Sequence, residues 1–233
     1  MKVNPRFFRV AAACSLLSAV TTLLLIFLPD LFSPVQDFEG RMGRVHEAAY
    51  QLRAWVYLVH PFLAFTAASG LALAVWHRAP VLALAGMSGF ALWAFTEAGQ
   101  QTLTLFAFDR WRAAWDTADE ATRHIIRTNT AFYDGVWDAM YMLLLIGFAI
   151  GNACLGWALT GFAGLARWLG GFLWAASLLT AVLFLGELGV KLLPEPVVTW
   201  AYPAIQPLGR ALIGVWLWRC ASCRPAEVGS AGS

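Results

Sequence analysis

Apolar residues fall into six long runs, Phe7–Leu28, Ala54–Trp76, Val81–Phe108, Ala131–Trp157, Trp168–Leu193 and Val197–Trp218, divided by polar linkers. A helix crossing the hydrocarbon of a bilayer needs ~20 mostly apolar residues, and each run reaches that length. None alternates with a period of two, so closed strands are not indicated, and lipid tolerates only strands closed into a barrel or helices. The pattern predicts an all-α, polytopic membrane protein. Residues 1–224 form a single six-helix transmembrane domain, and the small, polar stretch 225–233 is a disordered tail.

The linkers alternate in character. Pro29–Arg53 and Asp109–Thr130 are long, mixed in charge and rich in acids, whereas His77–Pro80 and Leu159–Arg167 are short and carry Arg78 and Arg167 without an acid. Weighting short loops and the first span, the positive-inside rule puts both termini in the cytoplasm of a cell with an inner membrane. The long loops then face outward, and short interfacial helices are expected in both. Phe38, Met42, Val45, Ala49 and Leu52 repeat at helical spacing, as in an amphipathic helix lying on the outer leaflet. Thr117 and Glu120 have the spacing of a capping box that starts a helix flowing into the fourth run. Trp111 and Trp115 share a face, as an interfacial anchor would.

Composition sharpens the class. Of the 233 residues 60% are hydrophobic and only 13% charged, well outside the range of soluble domains. The net charge of +2 is scattered over loops, and no basic helix or aromatic-basic module points to nucleic acid. Partners are therefore the bilayer, a small molecule, ion or lipid of unknown identity, and a further copy of the chain where the protein oligomerises. Phe7–Leu28 is longer than a signal-peptide core and lacks a small-residue cleavage site, which makes it a retained span. Cys14, Cys154, Cys220 and Cys223 avoid the long loops, so no extracellular disulfide framework is expected. The lone Cys220-Ala-Ser-Cys223 pair cannot complete a four-ligand zinc site.

Candidate chemistry lies in the polar residues that interrupt the runs. Asp134 and Asp138 stand one helical turn apart, with Tyr141, Leu145, Phe148 and Asn152 continuing the face. Glu97, Gln101 and Thr104 share a face of the third run, and Tyr202, Gln206 and Arg210 one of the sixth. Arg53, Tyr57 and His60 come from the second run, and Thr180, Glu187 and Lys191 from the fifth. A rise of ~1.5 Å per residue puts Asp138 ~12 Å, Glu97 ~18 Å and Arg210 ~16–20 Å from the long-loop side, with His60 and Glu187 near ~10 Å. Each buried acid costs ~2.5–3.5 kcal/mol if it faces lipid at the bilayer centre. Arg210 keeps its proton and needs an anion, for which Glu97 and then Asp138 are the expected partners.

The sequence-level expectation is a buried ionisable site of Glu97, Asp138 and Arg210, surrounded by Asp134, Glu187, His60, Gln101 and Gln206. It would serve a small-solute or ion transporter, with proton coupling through the acids. Two alternatives stay open: an intramembrane enzyme acting on a lipid or isoprenoid with His60 or Asp138 as acid/base, and a structural subunit with a fully paired polar core. The bland reading of Glu187 and Lys191 is an ordinary i, i+4 ion pair. No cofactor is indicated. His60, Glu97, Asp134 and Asp138 have suitable ligand types for a divalent ion, but no spacing enforces such a site. Asp134-x-x-x-Asp138 resembles the acidic motif of membrane prenyltransferases, but their second aspartate-rich motif is absent, so no residue role is carried over. Pro203 and Pro207 are expected to interrupt the sixth run near Gln206 and Arg210. Trp93 and Trp137, which flank Glu97 and Asp138, are expected to fill the bundle core, with the lining of a cavity as the alternative.

Overall fold

The computed structural model describes residues 4–35, 37–190 and 192–222. Lys191, Cys223 and the tail 225–233 lie outside these, and with them the Glu187–Lys191 pair and the expected disorder. The described residues are 89% helical and contain no strand. In chain order the α-helices are α1 (Pro5–Phe27), α2 (Phe38–Gly43), α3 (Ala48–Val75), α4 (Pro80–Leu103), α5 (Asp109–Ala114), α6 (Glu120–Thr160), α7 (Leu165–Glu187) and α8 (Tyr202–Ser222). Among the described residues, five segments are long and apolar enough to cross a membrane: Pro5–Leu31, Ala48–Val75, Pro80–Thr117, Glu120–Thr160 and Leu165–Glu187. The sixth long helix, α8, is not among them; its stretch includes Gln206, Pro207 and Arg210.

Sequence neighbours are also spatial neighbours. The six long helices form a ring in which α1 packs on α3, α3 on α4, α4 on α6, and α6 on α7. The ring closes through α8, which packs extensively on α1 and more sparsely on α7. Small residues permit the tightest crossing. At the α4–α6 contact a Cβ on Gly89 would lie 2.5 Å from the Gly151 amide nitrogen and 2.8 Å from the Gly147 carbonyl oxygen. Helix backbones this close gain dispersion contacts that lipid cannot offer, which is how membrane helices associate. Ser15, Ser18 and Thr22 of α1 are buried and turn their hydroxyls onto backbone carbonyls, Ser15 reaching that of Arg210 at 2.6 Å.

Helix ends depart from the sequence expectation where local chemistry overrides apolarity. The fifth apolar run extends to Leu193, but α7 stops at Glu187. Gly189 adopts φ +93°, and its amide and that of Val190 bond back to the carbonyls of Gly186 and Leu185, a glycine-terminated helix end. The sixth apolar run begins as a π-helical turn, Val197–Ala201, before α8. Pro203 therefore sits in the first turn of α8, where proline is tolerated, and only Pro207 lies inside the helix. The long α6 is started by Asp119 instead of Thr117: the Asp119 carboxylate accepts the Thr122 amide at 2.8 Å. That bond holds the Asp119 carboxyl below its ordinary range. Its contribution is present above the normal carboxylate pKa and is lost as pH falls through the depressed one.

The two long loops fold together into a roof over one end of the ring. Met42 from α2, Phe108, Trp115 and Ile126 form a second small core, separate from that of the ring. Trp115 is thus a core residue, with Arg123 and Arg127 over its ring, and not an interfacial anchor. The α2 stripe likewise turns Met42 into this core. At 41 residues α6 is ~60 Å long, about twice the hydrocarbon thickness, so its first turns build the roof and the rest belongs to the ring.

The α4–α6 contact gives a direct test. Gly89→Ala should lower stability in detergent by about 1–3 kcal/mol through overpacking. Gly171→Ala, where an added Cβ meets nothing within 4 Å, should be neutral or stabilising by up to ~1 kcal/mol. Thermal or denaturant unfolding of both variants reads the difference.

Candidate functional site

Two adjoining cavities run from the roof into the ring. The upper, ≈200 Å³, lies under α2 and α5 and is lined by Arg41, Tyr50, Arg53, Thr104, Arg112, Tyr133 and Asp134 among others. The lower, ≈360 Å³, is walled by Arg53 and Tyr57 of α3, Trp93, Glu97, Gln100 and Gln101 of α4, Trp137, Tyr141, Leu144 and Phe148 of α6, and Tyr202 and Gln206 of α8. Arg53, Gln101 and Trp137 belong to both walls, so the two spaces are neighbours.

Ion pairs organise the upper cavity. Arg41 meets Asp134 through two parallel hydrogen bonds, Nη1 to Oδ2 at 2.9 Å and Nη2 to Oδ1 at 2.5 Å. This fork ties α2 to α6 and raises the Arg41 pKa above its ordinary value, chiefly through the hydrogen bond to Asp134. Below it, Asp109 and Arg112 form a buried pair at 3.3 Å. The Tyr50 hydroxyl donates to Asp109 at 3.0 Å and accepts from Arg112. Asp109 Oδ2 and Arg112 Nε have no hydrogen-bond partner among the described residues. The π-helical turn Thr104–Phe108 connects α4 to α5 and aims this wall. Its Thr104 hydroxyl bonds that of Tyr133, and Phe108 stacks on the Tyr133 ring at 4.3 Å. A single π turn adds a residue to the helical repeat and rotates the helix beyond it, a device common at functional sites.

The lower cavity combines aromatic rings with a substantial polar lining. Glu97 is 5% exposed and sits one turn from Trp93. Arg210, 8% exposed, places its guanidinium 5.2 Å from the centre of the Trp93 ring, and its Nη1 has no hydrogen-bond partner among the described residues. Glu97 and Arg210 make no ion pair within 4.0 Å, but each feels the other's charge. Arg210 itself lines a further pocket of ≈40 Å³ beneath, shared with Gln206 and Asn152 and otherwise largely apolar. Gln100 donates to the Trp137 carbonyl at 3.0 Å and locks α4 to α6 beside the site. Arg53 rests 4.8 Å above the Tyr57 ring and donates from Nε to the Leu25 carbonyl at 3.4 Å.

The residues expected from the sequence separate into distinct places. Glu97, Gln101 and Gln206 line the lower cavity, and Arg210 stands against its Trp93 wall. Asp134 belongs to the upper cavity, engaged by Arg41. His60 is buried nearby, sharing a 2.6 Å hydrogen bond with Thr21 and meeting Trp93 edge-on, but it lines neither cavity. Asp138 is exposed on α6 and lines neither, so the expected trio reduces to Glu97 and Arg210. A step of four residues overshoots a helical turn by about 40°, and that rotation carries Asp138 off the face that presents Asp134. Glu187 is exposed at the end of α7, in a groove with Glu195 and Thr199. The four residues weighed as metal ligands are dispersed, and the described residues hold no group of three or more His, Cys, Asp or Glu placed for a metal ion. Trp93 and Trp137 do line the lower cavity. The Arg41–Asp134 bond joins residues 93 apart, and the Tyr50 contacts span 59 and 62, so no local spacing announced them. Only Asp109 and Arg112, at i, i+3, left a readable trace.

Comparison with protein-family models, with curated proteins and with solved structures finds no match, so the site is read from its own geometry.

The buried pair in the roof generates a prediction. Asp109→Ala leaves Arg112 uncompensated and should cost about 3–5 kcal/mol, while the double change Asp109→Leu with Arg112→Met should recover most of it. Unfolding of the three proteins in detergent measures both.

Proposed function

We propose that this is a membrane transporter for a small solute, with a proton carried on Glu97. Six membrane spans, α8 included, and both termini in the cytoplasm of an inner-membrane protein complete the reading. One observation carries it: a cavity of ≈200 Å³ under the roof and one of ≈360 Å³ reaching Glu97 lie side by side and share the wall residues Arg53, Gln101 and Trp137. A membrane helix bundle gains stability by closing on itself, so ≈360 Å³ of polar-walled space at that depth calls for an occupant. A structural subunit with a fully paired core would have no use for such a chamber, nor for an Arg210 nitrogen without a partner among the described residues.

In this reading the Arg41–Asp134 fork is the roof-side gate, since it bridges the two elements above the upper cavity. Glu97 and Arg210 set the charge of the inner chamber. Protonation of Glu97 leaves Arg210 uncompensated, and that change in charge biases which side of the bundle opens. Solute and proton are thereby linked through one carboxylate.

The test is flux. Protein reconstituted into liposomes with trapped pyranine is challenged with gradients of small organic acids, amines and sugars. Wild type is expected to acidify the interior with at least one class, and Glu97→Gln is expected to fall to the protein-free rate. No solute-driven acidification with any class, or equal rates in the variant, overturns the transport reading.

A further inference from the structure

The charges around the two cavities do not cancel. Four arginines, Arg41, Arg53, Arg112 and Arg210, stand against three carboxyl groups, Asp109, Asp134 and Glu97, with Asp109 taken by Arg112 and Asp134 by Arg41. Arg53 is left over. It has no carboxylate within 4.0 Å among the described residues, and its one hydrogen bond there, from Nε to the Leu25 carbonyl, leaves the two terminal nitrogens of the guanidinium without a protein acceptor. Arg53 is half-buried and forms part of both walls, between the upper cavity and the lower. The Tyr57 ring beneath it, at 4.8 Å, holds the guanidinium plane in place without neutralising it.

The space beyond Arg53 defines the rest of the ligand. Tyr57, Trp93, Trp137, Tyr141 and Tyr202 present rings to a volume of ≈360 Å³, within the range of small-molecule sites. Gln100, Gln101 and Gln206 add amide groups to the same wall, and Glu97 a carboxyl group, which in the transport reading carries the proton. A cationic fork at the neck of an aromatic chamber matches a molecule with one anionic end and an apolar body. A neutral solute would leave the fork unmatched, and a cation would be repelled by it.

We infer that the solute is a small amphipathic organic anion, whose carboxylate is held by Arg53 and whose apolar body lies among the rings of the lower cavity. The inference rests on the transport reading for its purpose, but the binding step can be measured without transport. Guanidinium suits this role because its two terminal nitrogens can engage both oxygens of a planar carboxylate.

Benzoate, benzamide and benzylamine differ in charge at nearly constant shape and serve as probes. With the full chain in detergent, calorimetry and thermal unfolding should show saturable binding of benzoate and none of the other two. Arg53→Gln should weaken benzoate binding by roughly 10- to 100-fold, the loss of a charge-assisted contact. Arg53→Lys, which keeps the charge but not the fork, should fall between. Arg167→Gln, at an exposed arginine at the start of α7, should bind as wild type, and unliganded unfolding reports whether each variant is folded. Equal binding of benzamide, undiminished binding by folded Arg53 variants, or no saturable benzoate effect overturns the proposal. Displacement of benzoate by phosphatidate in nanodiscs would assign the anion to a lipid headgroup and overturn a soluble solute. Benzoate binding without proton-linked flux leaves the anion site and removes the transport reading; flux without benzoate binding does the reverse.

Discussion

Water is what an ionised side chain loses on entering a membrane, and most of the charged groups near this protein's polar axis are arranged against that loss. Carboxylates and guanidinium groups are met by one another, by tyrosine hydroxyls or by the faces of aromatic rings. In a medium that supplies no hydrogen bonds these partners must come from other helices. The bonds of Tyr50 to Asp109 and Arg112, and of Arg41 to Asp134, therefore hold the ring and the roof in register. Hydrophobic burial cannot play that part, since lipid is as apolar as leucine.

Division of labour results from this constraint. Small residues bring backbones close in the ring, where Gly89 faces Gly147 and Gly151. The roof uses soluble-protein chemistry instead: a helix start on Asp119, a compact core around Trp115 and cation–π contacts from Arg123 and Arg127. Helix α6 belongs to both regions and joins them without a break. Movement of the roof is on that account mechanically tied to the walls of the lower cavity through Trp137 and Tyr141.

Much of the ring was legible in the sequence because membrane thickness imposes a length on apolar runs, and the 23 to 28 residues of α1, α3, α4 and α7 obey that rule. The end of α7 was not legible from hydropathy. Leu188, Val190 and Leu192 are apolar, but Gly189 turns the chain before they can extend the helix. Glu97, Gln101 and Gln206 could be found as polar residues in apolar surroundings, since such residues rarely face lipid. Asp138 satisfies the same criterion and is exposed, because spacing in sequence gives a face of a helix but not the direction in which that face points. The roof was least legible. Its contacts join residues far apart in the chain, and the alternation of Met42, Phe108 and Trp115 with charges reads equally well as an interfacial helix.

The ring also has a consequence for assembly. Each long helix docks on the one made just before it, and the circle is closed where the Ser15 hydroxyl reaches the Arg210 carbonyl across 195 positions of chain. During synthesis the Ser15 hydroxyl of α1 must wait for this acceptor until α8 has emerged. The growing protein is thus an open crescent for most of its translation, and it becomes a sealed object only when that helix arrives.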